Sequence, residues 1–231
     1  MMTDGFVLWR CLHDGPLTNE TVNHLPEPCA FWETLWARNI PLLTKLHQVY
    51  GACAVLVRDG SRVVGMLRFY PKTVCQMTAM WSGMCMQQAF AAGPADDFAD
   101  SAFPPLTQIT DKTLFVHCMM TGSPGQKDNP YQRRGLGSGM VRTLIEWARE
   151  RGWTAIEANA GADLPCIYAI TGKTGRMFWE KLGFHVVATI MNPAFREDTN
   201  GFVSRLLKEA AERNMDASEA KSKYTMRLDL A

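Results

Sequence analysis

The sequence lacks the features that mark a secreted, membrane-spanning or metal-binding protein. Its seven cysteines are scattered and include no CxxC pair, which indicates reduced thiols and neither a disulfide framework nor a zinc site. No apolar run approaches the ~20 residues of a membrane helix. The first residues, MMTDGFVLWRC, lack the basic and long apolar regions of a signal peptide. We therefore expect a cytoplasmic protein that uses no metal and binds no membrane.

An excess of charge of one sign is also missing. The 24 Lys and Arg residues nearly balance 23 Asp and Glu residues, so the formal net charge is +1, and both signs are mixed along the chain. This balance gives no indication of a nucleic-acid partner. With 231 residues, 47% of them hydrophobic, the chain can form one sizeable core. We expect one domain over residues 1–231 with insertions, and the sequence leaves a homodimer open.

Strand and helix patterns alternate along the chain. The clearest is ACAVLVRDGSRVVGMLRFY, which predicts two strands joined through Asp59 and Gly60. Apolar runs predict further strands at 6–12, 114–120, 154–160, 184–190 and 224–230. Apolar residues recur at helical spacing in four segments: 31–50, 136–151, RMFWEKLGF and 202–213. Pro41 is expected to divide the first of them into two helices. This order predicts a mixed α/β fold.

The stretch from Tyr131 to Met140, YQRRGLGSGM, places three alternate glycines at the start of a predicted helix. Glycine is unfavourable in a helix by roughly 0.5 to 1 kcal/mol relative to alanine, so the three need a reason. A strand followed by a glycine-rich turn and a helix start is a context in which phosphates bind. A P-loop is excluded because Ile167 stands where GxxxxGK[ST] requires glycine, and a GxGxxG motif fits poorly because Met140 or Arg142 replaces its last glycine.

A third phosphate-binding pattern fits. Residues 132–137, QRRGLG, match the QxxGxG signature of the GNAT superfamily of N-acetyltransferases, and residues 178–184, FWEKLGF, resemble its second signature, FYEKLGF. The resemblance implies a mixed, mostly antiparallel central sheet, splayed between its fourth and fifth strands and flanked by helices. Measured against that core, insertions are expected near 71–110, 119–130, 160–173 and 192–223. The first of these contains Met77, Met80, Met84 and Met86, and predicts a methionine-lined helix and a loop.

The resemblance also implies acetyl-CoA as the donor substrate. Its pyrophosphate would bind backbone N–H groups at the helix start, where the helix macrodipole favours an anion. The residues expected to contact coenzyme A are Val116, His117, Cys118, Met119, Gln132, Arg133, Arg134, Gly135, Leu136, Gly137, Ser138, Phe178 and Trp179. Gly139 is expected to serve helix packing, and a solvated basic turn remains the alternative for Arg133.

Removal of a proton from the acceptor is the main open point of the predicted chemistry. Alkyl ammonium groups have a pKa near ~10.4, so a side chain or a water chain must take a proton from the amine. His117 and Glu157 are the candidates, and each also has a structural interpretation, as a hydrogen-bonded histidine or as a partnered buried carboxylate. A covalent intermediate at Cys118 is disfavoured because no activating pattern adjoins it.

The sequence departs from the family pattern at Trp179. Many relatives have a tyrosine there that protonates the leaving thiolate, and an indole cannot replace that role. Tyr168, Tyr131 or water would supply the proton, or the thiolate would leave unassisted. The predicted function is acetyl transfer to a primary amine of a small molecule or protein by direct attack. The alternatives are a non-catalytic acyl-CoA-binding sensor of the same fold, or an interaction module that uses the 202–213 helix.

Overall fold

The computed structural model describes residues 2–3, 6–9, 45–59, 62–77, 103–121, 129–171, 174–198 and 201–230. The chain divides into two compact units, Met1–Thr154 with Leu230 and Ala155–Asp229, which are called unit 1 and unit 2 below. In the part of the chain that the structure describes, no helix is long and apolar enough to cross a membrane. The proposed helix division at Pro41 and the methionines 80, 84 and 86 lie outside the described residues.

Unit 1 contains five strands, each paired antiparallel with the next along the chain. They are β1 (Met2–Thr3), β2 (Phe6–Trp9), β3 (Ala54–Asp59), β4 (Arg62–Pro71) and β5 (Thr113–Thr121). Residues 45–50 are helical. The other helical elements are α1 (Lys72–Met77), a 3-10 turn at Leu106–Gln108 and α2 (Leu136–Glu150). The predicted hairpin and the predicted strand at 114–120 are therefore confirmed.

Helix α2 packs its apolar face on the sheet of unit 1. The aromatic ring of Trp147 lies 5.1 Å, centroid to centroid, from that of Phe69 on β4. Gly139 is buried on the same helix, as expected for a packing glycine. At the other end of α2, the N–H of Gly152 donates to the carbonyl of Arg149 and that of Trp153 to Ala148. This pattern is a Schellman motif, and the positive φ of 76° at Gly152 explains the glycine there.

Unit 2 contains three strands with β8 in the middle, paired antiparallel with β6 on one side and β7 on the other. Its elements are β6 (Ala155–Gly161), α3 (Pro165–Thr171), α4 (Arg176–Glu180), β7 (His185–Met191), a 3-10 turn at Pro193–Phe195, α5 (Phe202–Glu212), α6 (Ala217–Ala220) and β8 (Ser222–Asp229). The prediction of a mixed, mostly antiparallel α/β fold is confirmed. The splay between the fourth and fifth family strands, which correspond to β5 and β6, stays a prediction.

Two segments that the sequence marks as insertions share one core in unit 2. Cys166 and Ile167 of α3 pack in a buried cluster with Val203 and Leu206 of α5. The backbone N–H of Cys166 also donates to Oε2 of Glu209 on α5, at 3.2 Å. The segments 160–173 and 192–223 therefore stabilise one another.

The start of α4 depends on a close approach between Asp163 and Gly175. Both carboxylate oxygens of Asp163 accept from the backbone N–H of Met177, each at 3.1 Å. A Cβ atom placed on Gly175 would lie 2.0 Å from Oδ1 of Asp163. The backbone of Gly175, at φ −74° and ψ 168°, is one that any residue adopts, so only the missing side chain explains the glycine.

We expect Gly175→Ala to lower the free energy of unfolding by about 1 to 3 kcal/mol, because the new methyl group displaces the Asp163 carboxylate. Chemical denaturation at neutral pH measures the loss. The control is the same substitution in an Asp163→Ala background, which removes the two atoms nearest the methyl group, Oδ1 and Cγ, so the cost is expected to be smaller. An equal cost in both backgrounds would show that the contact with Asp163 is not the reason for the glycine.

Candidate active site

The turn before α2 is fixed to the sheet of unit 1 by Asn129. Its side-chain N–H donates to the carbonyl of Thr121 at 2.7 Å, and its Oδ1 accepts from the N–H of Tyr131 at 3.0 Å. The hydroxyl of Tyr131 donates to Asp59 at 3.2 Å. The sequence analysis missed Asn129, although an Asn-Pro pair is a turn signal. These bonds connect the end of β5 to the glycine-rich turn.

The glycine-rich turn leaves the first N–H groups of α2 available. Arg133 and Gly135 both have positive φ, 59° and 75°, and the helix begins at the next residue. The N–H of Gly139 donates to the carbonyl of Gly135 at 2.9 Å. Within the described residues, the N–H groups of 136–138 donate no hydrogen bond. Because the first turn also carries no acidic residue, it fits the pyrophosphate of coenzyme A.

The side chains around this helix start differ in their access to a ligand. Gln132, Arg133 and Arg134 are exposed, whereas Leu136 is buried, so any contact between Leu136 and coenzyme A would use its backbone. A Cβ atom on Gly135 would meet nothing within 4 Å, so the positive φ, and not a close contact, explains the glycine at this position. Arg133 makes no ion pair with any described residue, which leaves its guanidinium available for a phosphate.

Strand β5 contains a β-bulge where the sequence predicts the thioester site. Val116 pairs with Phe69 and Cys118 with Arg68, although Phe69 and Arg68 are consecutive on β4. His117 is therefore the extra residue. A bulge takes one residue out of the regular pairing and re-aims the local backbone, which is why bulges are common beside active sites. The stretch Val116–Met119 thus has the irregular backbone that a polarising N–H group requires.

The imidazole of His117 lies in a setting that keeps it neutral. Its ring is 5.6 Å, centroid to centroid, from that of Tyr70. Burial disfavours the charged imidazolium and the nearby Arg68 guanidinium repels it, so the pKa of His117 is lowered to about 4. Arg68 itself is fully buried, and the sequence analysis did not single it out. An arginine inside the apolar run VVGMLRFY was the available signal.

Glu157 on β6 has a cross-strand partner. The residue is 3% exposed, and its Oε1 accepts from Nη1 of Arg227 at 2.9 Å. The same guanidinium donates from Nε to Asp229 at 2.8 Å. The two carboxylates and the guanidinium of this cluster together carry a formal charge of −1. The expected partner for a carboxylate inside an apolar strand is therefore present.

Three further predicted site residues, Tyr168, Phe178 and Trp179, lie in unit 2, as Glu157 does. Trp179 is 2% exposed and packs against the rings of Phe178 and Phe184, with centroid separations of 5.2 and 5.0 Å. It therefore belongs to the core of this unit. Tyr168 is 44% exposed on α3, and its hydroxyl makes no hydrogen bond with any described residue. The structure thus places Glu157, Tyr168, Phe178 and Trp179 in unit 2, and His117 with the glycine-rich turn in unit 1.

A metal centre was not predicted, and the described residues offer no group of three or more His, Cys, Asp or Glu side chains that could hold a metal ion.

Comparisons with known proteins match one segment of the chain to a family. Residues 108–184 match the sequence model of the Acetyltransferase (GNAT) family. This range includes β5, the glycine-rich turn, α2 and both signatures. A comparison with curated proteins found no match.

Solved structures of GNAT proteins resemble the chain at low identity. A GNAT-family protein of Desulfovibrio desulfuricans shows 17% identity and a TM-score of 0.49, covering 98% of this chain and 99% of that one. The ribosomal-protein-S18-alanine N-acetyltransferase of Escherichia coli shows 12% identity and a TM-score of 0.47, and the match covers 98% of this chain and 94% of that one. Ard1 of Thermoplasma volcanium shows 12% identity and a TM-score of 0.46, and the match covers 98% of this chain and 99% of that one. Residues 108–184, which contain both signatures, are therefore similar to the GNAT family of acetyltransferases, whose members transfer acetyl groups from acetyl-CoA.

Proposed function

We propose that this protein transfers the acetyl group of acetyl-CoA to a primary amine of a small molecule or a protein, by direct attack of the amine on the thioester. The observation that supports it best is the start of α2, where three consecutive N–H groups are available and no acidic residue competes for them. Acetyl-CoA supplies the thioester and a thiolate leaving group. The residues that would hold its pyrophosphate are Gly135, Gly137, Ser138 and Arg133.

The β5 bulge is proposed to polarise the thioester carbonyl. A backbone N–H near Val116–Met119 would donate to the carbonyl oxygen, where negative charge develops during attack. His117 lies at the bulge, and its lowered pKa of about 4 keeps the imidazole uncharged at neutral pH. We assign His117 to the donor side of the reaction, because the Arg68 charge that disfavours an imidazolium also disfavours an approaching ammonium group.

Glu157 is proposed as the group that accepts the proton from the attacking nitrogen. An ammonium ion has no lone pair, so the acceptor first loses one proton to water and attacks as the neutral amine. Once the nitrogen has formed its bond to the carbonyl carbon, it carries a positive charge and its N–H is far more acidic than that of a free ammonium ion. A carboxylate oxygen can then take the proton. The net charge of −1 on Glu157, Arg227 and Asp229 favours the approach of a cationic acceptor. Tyr168 stays the side-chain candidate for protonating the thiolate, with water as the alternative.

Two measurements on the purified chain test the proposed function. We expect coenzyme A to raise the melting temperature, and acetyl-CoA to release free thiol with at least one amine from a panel of small amines and peptides with free α-amino groups. A thermal shift without thiol release on any amine would favour the acyl-CoA sensor. No thermal shift with coenzyme A would contradict both functions and favour an interaction module.

A further inference from the structure

One face of the three-stranded sheet in unit 2 is polar. Residues that pair directly in antiparallel strands lie on the same face of a sheet. The pairs are Glu157 with Arg227, Asn159 with Thr225 and Gly161 with Lys223. The residues between them, such as Tyr224 and Met226 on β8, are buried. We call the polar set, Glu157, Asn159, Lys223, Thr225 and Arg227, the polar strip.

The polar groups of the strip beyond Glu157 and Arg227 are not used within the described part of the chain. The side chains of Asn159 and Thr225 make no hydrogen bond with any described residue. Both are half-buried, so their amide and hydroxyl groups could contact a ligand that lies along the strip. Asn159 and Thr225 lie between the Glu157–Arg227 pair and Lys223, so polar side chains follow one another along the whole strip.

Lys223 lies at the far end of the strip. Among the described residues no carboxylate forms a salt bridge with it. Lys223 is half-buried, and burial lowers its pKa from the usual value. A partly desolvated ammonium without a partner is unfavourable, and an anionic ligand would relieve the cost.

Among the described residues, the surroundings of Lys223 are open on the side of β7. Its partner on β7 is Ile190, which is 54% exposed, whereas its partner on β6 is Gly161, which is covered on this face. Ile167 of α3 lies over Gly161, at 3.0 Å from the position of a Cβ atom there. Helix α3 therefore limits the strip at this end.

We propose that Lys223 recognises a carboxylate on the acceptor, so that the preferred acceptors carry both an amine and an anionic group. This inference rests on the proposed function, because it assigns the amine to Glu157 at the other end of the strip. Four residues separate the two ends along β6, which corresponds to roughly 13 Å of strand. The reach of the lysine side chain shortens this span, so linear ω-amino acids of about four to eight carbons would fit it.

The test compares ω-aminocarboxylates with amino alcohols of equal length as acceptors. We expect the wild-type protein to prefer the carboxylates in kcat/KM by at least about tenfold, the value of one charge-assisted hydrogen bond. Lys223→Met should remove this preference and leave kcat/KM for the alcohols unchanged, whereas Lys223→Arg should retain most of it. Lys221→Met removes the same charge two residues away and should keep the preference.

Three outcomes would overturn the inference. The first is equal use of carboxylates and alcohols by the wild-type protein, and the second is an equal effect of Lys223→Met on both series; in either case acetylation of the amines would leave the proposed function intact. The third is acetylation of neither series by a protein that shows a thermal shift with coenzyme A. Thiol release with another amine of the panel would then contradict this inference alone, and no release with any amine would contradict the proposed function as well. Thermal unfolding of each variant shows whether a change in activity reflects loss of the fold.

Discussion

Gly137→Val is expected to weaken the binding of coenzyme A by about 100-fold or more. The new side chain would stand at the second residue of α2, beside the N–H groups proposed to hold the pyrophosphate. Hydrogen bonds to charged groups contribute about 1.5 to 3 kcal/mol each, so the loss of one or two gives this factor. Isothermal titration with coenzyme A measures it directly.

The fold should survive this substitution. Valine has a higher helix propensity than glycine, by a few tenths of a kcal/mol, so α2 should be no less stable. Glu146→Val is the matched control, because it puts the same β-branched residue on an exposed position of the same helix, nine residues from Gly137. It should leave the dissociation constant unchanged. Full coenzyme A affinity in Gly137→Val would show that the pyrophosphate does not bind at this helix start.

Glu157→Gln is expected to lower kcat by about 100-fold or more, which is the usual contribution of a general base. The amide has the same shape as the carboxylate, and its oxygen can still accept from Nη1 of Arg227. The change therefore removes the charge and the basic oxygen without creating a cavity. Steady-state kinetics with the best amine of the panel gives kcat, and coenzyme A titration should give an unchanged dissociation constant.

Glu212→Gln provides the control for this change. It removes one carboxylate from an exposed position of α5, a helix to which no catalytic role is assigned, and should leave kcat within about twofold of the wild-type value. A kcat for Glu157→Gln that stays within a few-fold of wild type would reject Glu157 as the base. The proton would then pass to His117 or directly to water.

The parts of the site that could be predicted from the sequence are those set by neighbouring residues. The glycine-rich turn, the start of α2 and the cap at Gly152 depend on contacts within one or two turns of chain, and local patterns predict such features well. The three strands of unit 2 and its helices α4 and α5 were predicted for the same reason, whereas α3 and α6 were not. The two signatures that carry the resemblance both lie within the segment that matches the GNAT family.

The parts that could not be predicted depend on residues far apart in the sequence. The bond between Glu157 and Arg227 joins residues 70 positions apart, and no local pattern pairs them. The lowered pKa of His117 depends on burial and on Arg68 from another strand. From the residue type alone one would expect the ordinary histidine pKa near ~6.5. Asp163 meets the backbone of Met177 across 14 positions, and only the folded chain shows why residue 175 is a glycine.

The extra residue in β5 has a consequence for how the length of this strand can change. Because Val116 and Cys118 pair with consecutive residues of β4, they point to opposite faces, and Val116 shares its face with Met119. Deleting His117 would turn the bulge into a regular ladder, and every later side chain of the strand would keep its present face because Cys118 would still pair with Arg68. Deleting a residue after Cys118 would instead turn the side chains beyond it to the other face. The pairing with β4 can therefore absorb the loss of His117, so this residue serves the local backbone and not the register of the strand.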